Sequence, residues 1–161
     1  MAKPSIKDRL AIEDLFVRYT TALDNGDVDG VVSCFTQDGW LDSPIVGRHQ
    51  GREQLRAFAE KIAVSIRLRG AQYRHVVSNF RVETTRNRAR ARCYLLDFVT
   101  TGEKCELLAP EGDDCELEKI GEEWFFVAEL CTWIERSQFR DCGEDAVTKR
   151  PCTSCSFRST P

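Results

Sequence analysis

Apolar residues fall at Ile12, Leu15, Phe16, Tyr19 and Leu23, the recurrence of a helix with one buried stripe. Ser5, with Asp8 three residues on, supplies a capping-box start, and Asn25-Gly26 supplies a left-handed stop. A first helix is therefore expected from Ser5 to about Asn25. Asp27 then caps a short second helix whose apolar side is Val28, Val31, Val32 and Phe35. Leu55, Phe58, Ala59, Ile62 and Ile66 carry the helical spacing into a third. Between the second and third, Gly39 to Ser43 reads as a short strand ended by Pro44, and Gly47 to Gly51 as a loop. After Gly70 the period changes from helical to alternating. Strands are expected over Tyr73 to Thr85, Arg88 to Thr100, Cys115 to Ile120 (reaching back to Asp113 at most) and Trp124 to Glu135. Turns at Arg86-Asn87 and Gly121-Glu122 join them. Three helices followed by an antiparallel meander predict an α+β domain, with the helices covering one face of a curved sheet.

Composition narrows this picture. A chain of 161 residues can hold one domain with a substantial core, placed here at residues 1–140, with a polar, Cys-containing tail at 141–161. The net charge of −3 argues against a nucleic-acid partner. Arg86, Arg88, Arg90 and Arg92 alternate along a hairpin without an aromatic platform, which suits a solvated or inter-subunit sheet face better. Residues 1–9 lack the apolar core of a signal peptide, and no run reaches membrane-spanning length. The expectation is a cytoplasmic protein with no membrane partner.

Of eight cysteines, Cys34, Cys93 and Cys131 sit in apolar patterns and read as small core residues. Cys105 and Cys115 flank Pro110 to Asp114, read as a loop across which the two could face each other. Cys142, Cys152 and Cys155 fall in the tail. The C-x-x-C spacing of the last two has no matched second pair, so no metal is assigned to it.

Asp24 is the first candidate for chemistry. It follows the last residue of the apolar stripe at a helix C-terminus, where the macrodipole favours a cation instead. Such a carboxylate needs a partner, and His75 is the candidate.

The pattern Ile12-x-x-Leu15-Phe16-x-x-Tyr19-x-x-x-Leu23-Asp24-x-Gly26-Asp27 and the later Tyr73-Arg74-His75-x-x-Ser78-Asn79 resemble the SnoaL-like branch of the nuclear transport factor 2-like superfamily. Phe35-Thr36-x-Asp38-Gly39, Gly47-x-x-x-Gly51-Arg52-Glu53 and Gly121-Glu122-Glu123-Trp124 fit the same pattern, and the resemblance covers about residues 5 to 140. It implies a cone, a strongly curved sheet wrapped around a pocket that the helices close. The superfamily includes ketosteroid isomerases, scytalone dehydratase, hexachlorocyclohexane dehydrochlorinase and polyketide cyclases, so the fold leaves the reaction open.

In the dehydratase and dehydrochlorinase branch, an Asp at the end of the first helix pairs with a His at the start of the first long strand. The matching positions here are Asp24 and His75. The resemblance then implies that His75 acts as general base and Asp24 as its orienting partner. A carboxylate bonded to one ring nitrogen fixes the tautomer and raises the basicity of the other. Elimination, enolisation and aldol-type cyclisation need this step and no metal or organic cofactor, so none is expected. Trp40-Leu41-Asp42 offers no tyrosine where scytalone dehydratase-like sites have one, and His49 and His75 are the only histidines. The arrangement is closest to that of the dehydrochlorinase.

Other groups surround this dyad in the reading. Tyr19, on the inner stripe, is a candidate proton donor. Strand parity places Asp97 with Ala91, Cys93 and Leu95, opposite Arg90 and Arg92, which points it inward unless a bulge intervenes. Trp40 and Trp133 are candidate cavity walls, and Arg136 a candidate anion contact at the mouth. His49, between Arg48 and Gln50, reads as surface. The function expected is a lyase, dehydratase, cyclase or isomerase acting on a small, largely apolar, cyclic molecule, in a homo-oligomer formed through the sheet face. The alternative is a non-catalytic ligand-binding or assembly subunit, like the β subunit of aromatic-ring dioxygenases.

Overall fold

The computed structural model describes residues 2–133. Helix α1 spans Ile6–Asn25, α2 Val28–Ser33 and α3 Gly51–Arg69. The strands are β1 Phe35–Ser43, β2 Gly47–Gln50, β3 Gln72–Thr84, β4 Arg88–Thr101, β5 Lys104–Ile120 and β6 Glu123–Trp133. They form one open sheet in the order β2-β1-β6-β5-β4-β3, antiparallel throughout except where β1 runs parallel to β6. The α+β class holds, with three helices against a curved sheet.

The helix ends follow from their caps. Ser5 Oγ accepts the Asp8 amide at 3.0 Å, and Gly26 closes α1 at φ 66°, the left-handed region that glycine enters without strain. Asp27 accepts the Gly30 amide at 3.0 Å and starts α2. Ile12, Leu15, Phe16, Tyr19 and Leu23 are all buried. Phe16 and Tyr19 make edge-to-face contacts with Phe126, at centroid distances of 5.0 and 5.3 Å. This aromatic cluster joins α1 to the middle of the sheet. Asp8 ties the start of the same helix to the sheet through Lys119 Nζ at 3.0 Å and Trp124 Nε1 at 3.2 Å.

Bulges bend the strands. One lies in β3 between Ser78 and Arg81, where Asn79 sits at φ 58°. Another lies between Asp97 and Phe98, and a third between Glu116 and Leu117. Each adds local twist, which lets long strands curve around an interior.

Three sequence expectations change. The first strand begins at Phe35, and Gly47–Gln50 is a strand paired with β1, where a loop was expected. The larger correction is β5, which starts at Lys104 and passes through Pro110 to Asp114 without a loop. Pro110 lies in register with Leu96 of β4. Cys105 is consequently exposed and Cys115 buried, ten positions apart along one strand. Cys34, Cys93 and Cys131 are core residues, as their apolar surroundings implied. Arg136 and the tail with Cys142, Cys152 and Cys155 lie outside the described residues. Among the described residues no helix is long and apolar enough to cross a membrane.

Candidate active site

A cavity of about 290 Å³ lies between the helices and the inner sheet face. Its walls include Phe16, Tyr19 and Leu23 of α1, Leu41 of β1, Phe58 and Ile62 of α3, and Leu95 of β4. His75, Asp97, Glu111, Asp113, Glu129 and Cys131 also line it, and among the described residues no lysine or arginine does. The volume suits a small molecule at the lower end of the usual range.

His75 sits between two carboxyl groups. Its Nδ1 lies 2.6 Å from Asp24 Oδ1, and its backbone amide donates to Asp24 Oδ2 at 3.3 Å. The two-point contact fixes the carboxylate, and the short ring contact places the proton on Nδ1, which leaves the Nε2 lone pair free. Nε2 faces Asp97 Oδ1 at 3.4 Å. That oxygen is buried and has no hydrogen-bond partner. All three side chains are 12 to 14% exposed.

Local structure explains the meeting. Leu23 is buried at the end of α1, so Asp24, the next residue, is held against the start of β3. His75 and Asp97 are directly opposite on β3 and β4, hence on one face of the sheet. The register between β4 and β5 is unbroken from Ala91 to Asp97, and the shift beyond it places its extra residue, Leu108, on β5. The inward parity of Ala91, Cys93 and Leu95 therefore reaches Asp97 intact.

Electrostatics follow from burial and neighbours. Burial is the largest single effect on His75 and lowers its pKa. The Asp24 hydrogen bond and the charges of Asp97 and Asp24 outweigh it, so the ring titrates above its ordinary 6.5. Burial raises Asp97 above the usual carboxyl range. The arrangement thus brings a basic imidazole and a buried carboxyl of raised pKa to the same wall of a largely apolar chamber.

Sequence reasoning missed a second group. Glu111, Asp113 and Glu129 are 2, 4 and 2% exposed, and each has a buried carboxyl oxygen without a partner. Burial, then the charges of Asp97 and Asp113, pushes Glu111 up to about 7. Asp113 is pushed up to about 6, again by burial first. Glu129 is raised well above its ordinary value by burial and the charge of Asp113. Counting the alternation back from buried Cys115 and Leu117 would have pointed Asp113 and Glu111 inward. The assumed loop stopped that count.

The remaining candidates separate. Tyr19 lines the cavity, fully packed, with its hydroxyl toward Glu129. Trp40 does not line it: β1 alternation puts Leu41 and Ser43 inward, and Trp40 lies under the Arg48 guanidinium, 4.0 Å from the ring centroid. His49 is half-buried, stacked on Phe58 at 5.2 Å, with Nε2 3.0 Å from the Val46 carbonyl oxygen. It is therefore more enclosed than a surface residue. Trp133 ends β6 opposite Glu111, and its side chain lies outside the described set, as does all of Arg136.

Among solved structures, an NTF2-like protein with a cystatin-like fold from Novosphingobium aromaticivorans superposes with a TM-score of 0.73 at 18% identity, over 85% of this chain and 88% of that one. A protein of the same organism provisionally named a scytalone dehydratase gives 0.69 at 18% identity, over 80% and 85%. Another, provisionally named an aromatic ring hydroxylase, gives 0.70 at 22%, over 83% and 93%. At such identities the likeness carries the fold alone, and the two reaction names differ. No curated protein matches the chain. The family model of the SnoaL-like domain matches residues 4–133, which takes in both Asp24 and His75. The chain belongs to the SnoaL-like domain family.

Proposed function

We propose that the cavity performs acid–base chemistry on carbon, as a lyase, dehydratase, cyclase or isomerase acting on a small, largely apolar, cyclic molecule. The observation that carries this reading is the 2.6 Å contact between Asp24 Oδ1 and Nδ1 of His75, a residue that lines a largely apolar chamber. His75 Nε2 takes a proton from a carbon next to an activating group. In an elimination, Asp97 gives its proton to the departing hydroxyl on the neighbouring carbon, and water leaves. In an isomerisation, His75 returns the proton at a different carbon. Asp24 holds the ring in one tautomer and stabilises the imidazolium that forms. Walls built by Phe16, Leu23, Phe58 and Leu95 would exclude bulk water and hold an apolar ring.

The test is proton exchange at carbon. A panel of enolisable and hydroxylated cyclic compounds, incubated with the protein in D2O and followed by NMR, should show exchange or loss of water for at least one. His75→Ala should reduce that rate by about 10²–10⁴-fold, the usual worth of a positioned base. Asp24→Asn should cost less than His75→Ala, because the imidazole survives. A His75→Ala variant as active as the wild type on a turned-over compound sinks the mechanism.

Assembly is a second property that one observation favours. Val76, Tyr94 and Leu130 are 46, 53 and 40% exposed on the outer sheet face. We propose that this face pairs two copies of the chain. The cavity opens on the other side of the sheet, so assembly and chemistry do not compete.

A further inference from the structure

The acid–base reading leaves the cluster on β5 and β6 without a task. One donor atom each from Glu111, Asp113 and Cys131 lies within 4.8 Å of the others, and all three residues are buried. We propose that these three side chains bind a divalent transition-metal ion of the Zn²⁺ type, with its remaining position open to the cavity.

Three independent observations carry this. The first is the set of orphaned atoms. Glu111 Oε1 and Asp113 Oδ1 are buried without any hydrogen-bond partner, and their side chains line the cavity. Buried carboxyl oxygens are normally satisfied, and one left bare costs roughly 1–3 kcal/mol or more. Among the described residues no lysine or arginine lines the cavity to meet them, and His75, the one basic side chain there, is already bonded to Asp24.

The second is placement. Asp113 and Cys131 are directly opposite on β5 and β6, and Glu111 is the next inward position of β5. All three rise from paired strands, which hold ligand positions more tightly than loops. Asp113 has an outer partner as well: Cys93 Sγ donates to its Oδ2 at 3.7 Å from the neighbouring strand. Metal-binding carboxylates are commonly steadied in this way.

The third is the chemistry of the donor set. Ca²⁺ and Mg²⁺ take six or more oxygens and avoid sulfur. Two carboxylates with one thiolate suit Zn²⁺ or Co²⁺, which accept four ligands of mixed oxygen and sulfur type. Three protein ligands leave a place for water or for an oxygen of whatever enters the cavity.

The probe is Co²⁺, added to the full chain with Cys142, Cys152 and Cys155 replaced by serine so that the tail thiols cannot compete. The proposal expects one equivalent of Co²⁺ and a thiolate-to-cobalt absorption in the near ultraviolet. Cys131→Ser in that background should abolish the absorption. Glu111→Gln and Asp113→Asn should each weaken binding at least about tenfold, the upper range for outer partners being about a hundredfold. Should Cys131→Ser lose its circular-dichroism signal, the two carboxamide variants decide. Absence of stoichiometric binding, an absorption that survives in a folded Cys131→Ser, or unchanged affinity in both carboxamide variants overturns the site. His75→Ala should bind Co²⁺ as the parent does, so loss of turnover in that variant and loss of metal binding remain separate results.

Discussion

His75 carries its proton through a contest between burial and its neighbours, and the contest has a measurable sign. Burial lowers the ring's pKa, while the Asp24 hydrogen bond and the charges of Asp97 and Asp24 together raise it further, to a net value above 6.5. A raised folded pKa means that the protonated ring stabilises the fold. That contribution is fully present below the unfolded value near 6.5 and is lost as pH rises through the folded pKa. Catalysis runs the other way, since a general base must be neutral. The rate should therefore fall as pH drops through the folded pKa of His75, on a limb lying above pH 6.5. Asp24→Asn removes the largest raising influence, so the limb should move toward lower pH while the maximum rate also drops. Asp97→Asn should move it in the same direction by less. A kcat/KM profile settles this: an acid limb that stays in place in Asp24→Asn would mean that His75 is not the titrating base.

At the scale of elements, the bulge in β3 decides how the sheet curves over the cavity. Asn79 occupies the left-handed region at φ 58°, between Ser78 and Arg81, where the register with β4 shifts. Asparagine tolerates that conformation and a β-branched residue does not, so Asn79→Val should cost about 1–2 kcal/mol in urea unfolding, whereas Asn79→Gly should stay near wild type. Equal stability of all three would remove the backbone constraint from the argument. The helices were legible from sequence because their apolar period is long and their caps use Ser5, Asp27 and Gly26 in the expected places. The Asp24–His75 contact was legible only through the family pattern, since 51 positions separate the two and no local signal joins them. The first half of β5 was not legible at all. Pro110 and Gly112 are turn residues by propensity, and Glu111 and Asp113 look like solvated positions. Here they point inward as a carboxyl cluster on one wall of a largely apolar cavity, an exception to the rule that inward residues are apolar. Trp40 was misplaced by the opposite bias, that a large aromatic beside a strand break belongs inside.

The described residues form an open sheet with their helices on one face, which leaves the other face to be explained. On that face Tyr94 of β4 lies beside Gly112 and Thr132, and Val76 pairs with Leu96, which pairs in turn with Pro110. The next row is Arg92, Asp114 and Leu130, where Asp114 binds Arg90 and Arg92 in ion pairs. An apolar centre with a charged, internally paired rim is the anatomy of a protein interface. Gly112 keeps the surface flat next to Tyr94, so a second copy could approach closely. Full solvation would instead leave Val76, Tyr94 and Leu130 exposed together on this one face, and grouped apolar exposure marks interaction surfaces. The chain is therefore expected to be a homodimer through this face, with twice the mass of one chain by light scattering coupled to size exclusion at micromolar concentration. Tyr94→Asp should shift it to the monomer and leave the far-ultraviolet circular dichroism unchanged, because the side chain packs against nothing within its own protomer's core. A wild-type protein that runs as a monomer, or a Tyr94→Asp variant that stays dimeric, would assign the outer face to another partner or to none.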